Sequence, residues 1–388
     1  MPKVLVGMSG GIDSTVTAYL LKQQGYEVEG ISFLMWEKAG KHGAACCSSG
    51  IIQDTAGVAR QIGIRHDVID VQDDFAGKVI SPFAHAYVSG LTPNPCILCN
   101  RHIKFPYLIK EAEKRGAEYI ATGHYARIER QDSSIQGVED SRITSDIRHQ
   151  TSVRLMKGID TKKDQSYVLF ILTQPILKRL ILPLGGYLKE DVREMGVNLV
   201  PAAAERQESQ EICFIQGNKY PAFIQQFVPG ITESGPIIDL QGEIIGRHKG
   251  IYGYTIGQRR GLGIASPEPL YVAGIDIEKN IVYAGPRDSV KKKVFYAHDL
   301  NWINPPSLRP AKPGGKGLEE HAGSFRATVK VRSTMKDEPA TIFWYTASGG
   351  ETVRVVFDEP QWAPAPGQGA VFYDNDVVIG GGVIHIPG

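Results

Sequence analysis

The chain has 388 residues, enough for roughly two to three domains, each with its own core. Its 42% apolar and 22% charged content is ordinary for a soluble globular protein, and a formal net charge of +1 excludes a grossly basic nucleic-acid coat but not a local basic surface. No apolar run approaches the ~20 residues of a membrane span and Met1-Pro2-Lys3 leads straight into a strand, so a cytoplasmic enzyme with no membrane partner is expected, while five cysteines, odd and sparse, argue against a secreted disulfide scaffold.

The first element is a short apolar run, Val4-Leu5-Val6-Gly7, that reads as a buried parallel strand. Met8-Ser9-Gly10-Gly11-Ile12-Asp13-Ser14 follows, then a helix with Val16, Tyr19 and Leu20 at helical spacing, stopped by Gly25. Two glycines let the backbone turn tightly, with successive N–H groups facing one hollow. The helix start adds the positive end of its dipole. Together these make a phosphate site. The Lys-Ser/Thr of the GxxxxGK[ST] loop is missing, so this is not the kinase or GTPase cradle. A plain strand–turn–helix would explain the glycines, but not the added Ser9, Asp13 and Ser14. The loop resembles that of the ATP pyrophosphatases, which split ATP between its α- and β-phosphates and pass AMP to an oxygen.

Strands and helices then alternate. Glu27–Leu34 reads as a strand, Lys38–Gly50 as a polar loop with Cys46 and Cys47, and Ile52–Ile62 as a helix. His66–Val71 and Glu118–Thr122 read as strands, with helices near Phe75–Val88 and Phe105–Lys114. The pattern implies a doubly wound parallel sheet whose ligands sit beyond the carboxyl ends of its strands, where Ser9–Ser14, Phe33 and Thr122-Gly123-His124 fall. Gln131–Thr151 is polar and aperiodic, an exposed insertion. Order returns at Val153-Arg154-Leu155, and the helical stretch to Met195 and the polar linker Glu205–Ser209 end the first domain.

From Gly235 the texture shifts to short glycine-rich strands, among them His248–Tyr252 and Tyr254–Gly261, which suggests a small, mostly β domain. After a Pro/Gly-rich loop at Pro305–Gly323, Phe325–Arg332 alternates cleanly. Phe325, Ala327, Val329 and Val331 should face a core, and Arg326, Lys330 and Arg332 the opposite side. Val353–Phe357, Ala370–Tyr373 and Val377–Ile379 are further strands of a small barrel. The expected architecture is therefore α/β: a doubly wound parallel-sheet ATP pyrophosphatase domain (1–208, with 131–151 as its insertion), a small mostly β central domain (209–285) and a C-terminal β-barrel (286–388).

The cysteines carry the second signal. In Thr92-Pro93-Asn94-Pro95-Cys96-Ile97-Leu98-Cys99-Asn100 the prolines should hold the segment extended and block helix before Cys96, presenting both thiols on a stiff loop. A structural pair is the plainest reading. Zinc would need two more ligands, for which His102 and Cys213 are candidates. A thioredoxin-like pair fits poorly, because there Cys-x-x-Cys opens a helix.

Taken with Ser9–Ser14, Ala121–Tyr125, Lys163–Tyr167, Ile212-Cys213-Phe214-Ile215, Tyr254–Arg259, Pro366–Gln368 and Gly380–Gly382, this segment resembles the tRNA-uridine 2-sulfurtransferases along the whole chain except the insertion. The resemblance implies that ATP with Mg²⁺ adenylates the C2 oxygen of uridine 34, the wobble position. It implies an ATP site of Gly7, Met8, Ser9, Gly10, Gly11, Ile12, Asp13 and Ser14, with Phe33 against the adenine and Gly123 letting backbone approach the nucleotide. Cys213 would carry sulfur as a persulfide from a donor protein, a cysteine desulfurase or a relay. Cys99 would either attack the activated carbon or release the sulfur by forming a disulfide with Cys213. A linker position suits Cys213, which must visit donor and active site.

By the same resemblance the partner is tRNA with Lys, Glu and Gln acceptors. Asn94, Pro95, Cys96, His124, Lys163, Asp164 and Gln165 would line its path near the wobble base, and Arg332, Ser333 and Gln368 would meet it from the barrel. Two departures stand out. Ser333 replaces an aromatic residue often found after that Arg, and Cys96 stands where many members have Asp, a general acid/base. With Cys99 and Cys213, Cys96 could instead hold three irons of a [4Fe–4S] cluster whose fourth iron binds sulfide. Lys291-Lys292-Lys293 is either a solvated charge run or a phosphate contact. Cys46 and Cys47 are read as structural or bystander residues. Two other functions stay open: an ATP pyrophosphatase acting on a small molecule, and a tRNA-binding module without activity.

Overall fold

The computed structural model describes residues 1–36, 49–131, 152–199, 212–215, 220–228, 233–307, 323–347 and 350–386. Expectations for the Cys46-Cys47 loop, most of the Gln131–Thr151 insertion, the Glu205–Ser209 linker and most of the Pro305–Gly323 loop lie outside them.

The first four strands are β1 (Lys3–Gly7), β2 (Glu27–Leu34), β3 (Arg65–Asp70) and β4 (Tyr119–Ala121). The chain then leaves the sheet as a hairpin, β5 (Ala126–Gln131) with β6 (Ser152–Lys157), and returns as β7 (Leu180–Ile181). The sheet is parallel throughout, in the order β3-β2-β1-β4-β7. Its centre is fully apolar because helices cover both faces: Val4, Leu5 and Val6 are completely buried. The covering helices include α1 (Ile12–Gln23), α2 (Ser49–Gln61), α3 (Gln72–Phe75), α4 (Ser81–Val88), α5 (Pro95–Cys99), α6 (Phe105–Lys114), α7 (Gln174–Arg179) and α8 (Lys189–Leu199). Strand order reverses between β1 and β4. That opens a crevice beyond their carboxyl ends.

A further helix, α9 (Tyr220–Phe227), joins the first domain through Ile224, which is fully buried in its core cluster. The central sheet has β8 (Gly235–Ile238), β9 (Ile244–His248), β10 (Tyr271–Asp276) and β11 (Ile281–Gly285), in the order β10-β11-β8-β9. The Tyr254–Gly261 stretch is not a strand, contrary to expectation. The Gln258 side chain accepts from the Thr255 amide at 3.1 Å and donates to the Arg260 carbonyl at 2.9 Å, folding the segment into turns.

The barrel is built from β12 (Lys291–Trp302), β13 (Gly323–Lys330), β14 (Glu338–Ala347), β15 (Gly350–Trp362), β16 (Gly369–Asp374) and β17 (Val377–His385). These run β12-β15-β14-β13-β16-β17, and β12 pairs with β17 to close the ring. Phe325, Val329 and Val331 lie in its core, as the alternation predicts. The opposite face of β13 is not simply solvated. Arg326 is exposed, but Lys330 is buried, because the first domain covers that end. Two contacts blur the boundary further: β6 of the first domain pairs with β17, and Val371, Tyr373 and Val378 of the barrel lie in the first domain's core.

Candidate active site

The nucleotide loop forms where β1 ends. The Met8 amide donates to the Ile31 carbonyl of β2 at 2.7 Å, holding the loop in the line of the sheet. Gly10 turns the chain at φ 78°, and a Cβ there would come within 2.5 Å of Ile51 and 2.6 Å of Thr55. Ser14 is buried and locks the curve: its Oγ accepts from the Ser9 amide at 3.1 Å and donates to the Gly11 carbonyl at 3.0 Å. Helix α1 begins after Gly11 with no side-chain cap, so its positive end faces the crevice.

Gly123, beyond β4, packs on this loop. A Cβ at Gly123 would lie 2.9 Å from the Asp13 carbonyl carbon and 3.0 Å from the Ser14 nitrogen. The close approach made possible by Gly123 is thus to the loop backbone. Asp13 Oδ1 accepts from the Tyr125 hydroxyl and from Lys189 Nζ, both at 2.7 Å. Lys189 was not singled out by sequence, and nothing adjacent to it forms a motif; it reaches Asp13 because α8 packs on α1. Met8 is buried against Gly30 of β2. Phe33 is buried with its ring edge towards Tyr107 at 6.2 Å.

The segment before Cys96 does not stay extended into the thiols. Pro95 is the first residue of α5, where a missing N–H costs nothing, and Asn94 caps it by accepting from the Cys96 amide at 3.0 Å and the Ile97 amide at 3.4 Å. Cys96 and Cys99 therefore open a helix after all, and the objection raised from sequence to a helix-borne pair fails. Cys96 is exposed and Cys99 buried. A turn of π-helix, Asn100–Lys104, follows and leads into α6. There Phe105 stacks on His124, and burial pushes that imidazole down to about 3, helped by nearby Lys104.

Cys213 is half-buried, and the two residues after it pack into the first domain's core. Phe214 packs edge-on against Phe75 and Phe83 and beside Phe223, and Ile215 is buried too. Among the described residues no three His, Cys, Asp or Glu side chains are gathered to hold a metal ion. Cys96, Cys99 and Cys213 are thus not assembled as cluster ligands in this conformation, nor is the zinc set with His102. Asp13 fits Mg²⁺ better, since that ion takes one or two carboxylates alongside phosphate oxygens.

Residues 2–217 match the family described as tRNA methyl transferase HUP domain, 221–286 the tRNA methyl transferase PRC-barrel domain and 292–384 the aminomethyltransferase β-barrel domain. A tRNA-specific 2-thiouridylase MnmA 1 of Caldanaerobacter subterraneus subsp. tengcongensis is 42% identical over 387 residues, covering 99% of this chain and 98% of that protein. The chain belongs to the tRNA-specific 2-thiouridylase family. Family members from Clostridioides difficile (40% identical over 385 residues; 99% and 98% covered) and Roseiflexus sp. (39% over 386; 99% of each) agree along the whole length. A solved 4-thiouridine synthetase–RNA complex with bound ATP is more distant, at 17% identity and TM-score 0.34 over 59% of this chain and 50% of that one.

Several residues expected to face tRNA in this 2-thiouridylase are engaged inside the protein. Asp164 is buried and accepts from the Gly158 and Ser166 amides, the Ser166 hydroxyl and Lys330 Nζ. Four donors leave it no role at the surface. Arg332 Nη2 donates to the Ile256 carbonyl at 2.8 Å and the Ala363 carbonyl at 3.1 Å, tying the central domain to the barrel. Gln368 Nε2 donates to the Thr92 carbonyl at 2.9 Å, bracing the strand of chain that leads to Asn94. Gln165 is exposed, although its Oε1 accepts from the Tyr125 amide. Ser333 is exposed, and Pro95 is buried. Lys163 is half-buried beside them.

No helix among the described residues is long and apolar enough to cross a membrane.

Proposed function

We propose that this protein performs ATP-dependent 2-thiolation of the wobble uridine of tRNA. The observation that carries the reading is the Ser9–Ser14 anion loop at the strand-order reversal, in a chain whose full length matches 2-thiouridylases. The uridine C2 oxygen attacks the α-phosphorus of ATP, and the bond to the β-phosphate breaks with pyrophosphate leaving. The loop N–H groups and the α1 dipole offset the charge that accumulates there. Mg²⁺ held at Asp13 would neutralise further phosphate charge.

Sulfur then arrives as a nucleophile. The terminal sulfur of a Cys213 persulfide adds to C2 and AMP departs. The Cys99 thiolate attacks Cys213 Sγ, forming a disulfide and leaving the sulfur on C2 as the thiocarbonyl; an external thiol must reduce the disulfide before the next turnover. Because Phe214 and Ile215 anchor Cys213, the sulfur-donor protein comes to Cys213, rather than the residue travelling on a linker. The persulfide route is preferred because it needs only Cys99 and Cys213 to meet, not all three cysteines to gather round one cluster.

The test incubates the protein with a tRNA transcript, ATP and a persulfide donor. Thiolated tRNA is retarded in a mercury-containing gel, and the Cys99→Ser and Cys213→Ser variants should lose that product. Bound but unretarded tRNA under every sulfur supply would sink the reading. About four irons per chain in protein purified without oxygen would reinstate the cluster.

A further inference from the structure

We propose that Lys189 is a substrate-binding residue of the ATP site, countering Asp13 before nucleotide binds and the pyrophosphate that departs when the α–β bond breaks. This rests on the adenylation reading above.

The loop presents a problem that its sequence leaves unsolved. It lacks the lysine that follows the GxxxxGK[ST] cradle, and it places a carboxylate, Asp13, in the first turn of the helix where phosphates should sit. An anion there opposes a polyphosphate unless a cation meets it. Lys189 meets it in space. Its Nζ lies 2.7 Å from Asp13 Oδ1 and 5.5 Å from the Tyr125 ring centroid, with the side chain only 13% exposed.

The ammonium is held there by packing. Helix α8 lies directly on the start of α1: a Cβ on Gly196 would come within 2.4 Å of Ile12, the residue next to Asp13. Tyr125 and Lys189 share the same carboxylate oxygen, so the tyrosine hydroxyl keeps Asp13 in place when Lys189 turns to another anion. The Asp13 side chain is 35% exposed, so solvent screens the pair and a merely structural role is a weak reason for such a fixed charge. In the reaction the bond from the uridine C2 oxygen to the α-phosphorus forms as the bond to the β-phosphate breaks. The electron pair stays on the leaving pyrophosphate, and a preset ammonium stabilises it without a proton changing hands. Lysine suits this better than arginine, being a compact point charge on a flexible stem.

The experiment measures magnesium pyrophosphate and ATP binding to the full chain, by competition and without tRNA, for Lys189→Met, Lys189→Gln, Lys189→Arg, Asp13→Asn and the Asp13→Asn/Lys189→Met double variant. Melting curves report folding. Lys189→Met and Lys189→Gln should weaken magnesium pyrophosphate by about 10-fold or more, as expected for losing one charge-assisted contact to phosphate, with Lys189→Arg recovering part of it. Adding Lys189→Met to Asp13→Asn should weaken pyrophosphate binding again. Unchanged pyrophosphate affinity in either folded neutral variant would overturn the proposal. So would loss of the Lys189→Met effect in the Asp13→Asn background, which would make Lys189 only an anchor for Asp13. The readout needs no tRNA, so failure to thiolate would count against the proposed function alone.

Discussion

At Gly123 a single hydrogen atom decides whether β4 can close on the nucleotide loop. Gly123→Ala would drive a methyl group to about 3 Å from the backbone of Asp13 and Ser14, where no flexible side chain can yield. We expect ATP binding to weaken by about 10-fold, from a strain of order 1–3 kcal/mol, while the protein stays folded; titration with ATP checks it. Next to it, half-buried His124 stacks on Phe105, and its folded pKa of about 3 lies below the ordinary 6.5. Between those values the unfolded chain binds the extra proton, so stability rises with pH and is lost as pH falls from 6.5 towards 3. His66 and His102 are lowered by burial in the same direction. The melting temperature should therefore drop from pH 7 to pH 4 less steeply in His124→Gln than in the parent. The Ser9–Ser14 turn was legible because turn chemistry is local, whereas Gly123 was expected from resemblance to admit the nucleotide and instead packs on the loop backbone. Lys189 was not legible, since a lysine opening an ordinary helix gives no hint of which carboxylate it will meet.

Helix α5 shows how an element can be read correctly in its parts and wrongly as a whole. The two prolines do keep Thr92–Asn94 out of helix, but Pro95 is also a favoured first helical residue, and Asn94 is the cap that such a start requires. Asn94→Ala should cost about 1 kcal/mol of local stability and speed hydrogen exchange at the Cys96 and Ile97 amides, whereas Asn94→Asp should preserve both. Exchange measured by mass spectrometry separates the outcomes. Strands β5 and β6 posed a different difficulty. Val153-Arg154-Leu155 signals order, but nothing local says that the pair will join the barrel's sheet rather than the parallel one beside it in sequence.

On the scale of the molecule, charged residues were the least legible, because their burial is decided by another domain. Lys330 and Asp164 face each other at 3.4 Å, with 8% and 4% of their side chains exposed, across the junction of barrel and first domain. Lys330→Met strands the buried carboxylate with its neutral donors and should cost about 3 kcal/mol, read as a lower melting temperature. Joint replacement with Asp164→Asn, which removes the charge but keeps an oxygen for the Gly158 and Ser166 amides, should restore part of that loss if the cost lies in the stranded charge. Alternation made β13 legible at Phe325, Val329 and Val331, but not β16, which is buried on both faces because the first domain covers its outer side. The barrel's connection to the hairpin has one more consequence. Met156 of β6 pairs with Val377 of β17, so the two partners leave the ribosome at widely separated times. During translation the edge of β6 waits unpaired while the central domain and most of the barrel are made, and sheet completion is tied to a strand synthesised long after it. A message cut short in its final part would release a chain whose early domain still carries an open edge, a substrate for chaperones and proteases rather than a smaller working enzyme.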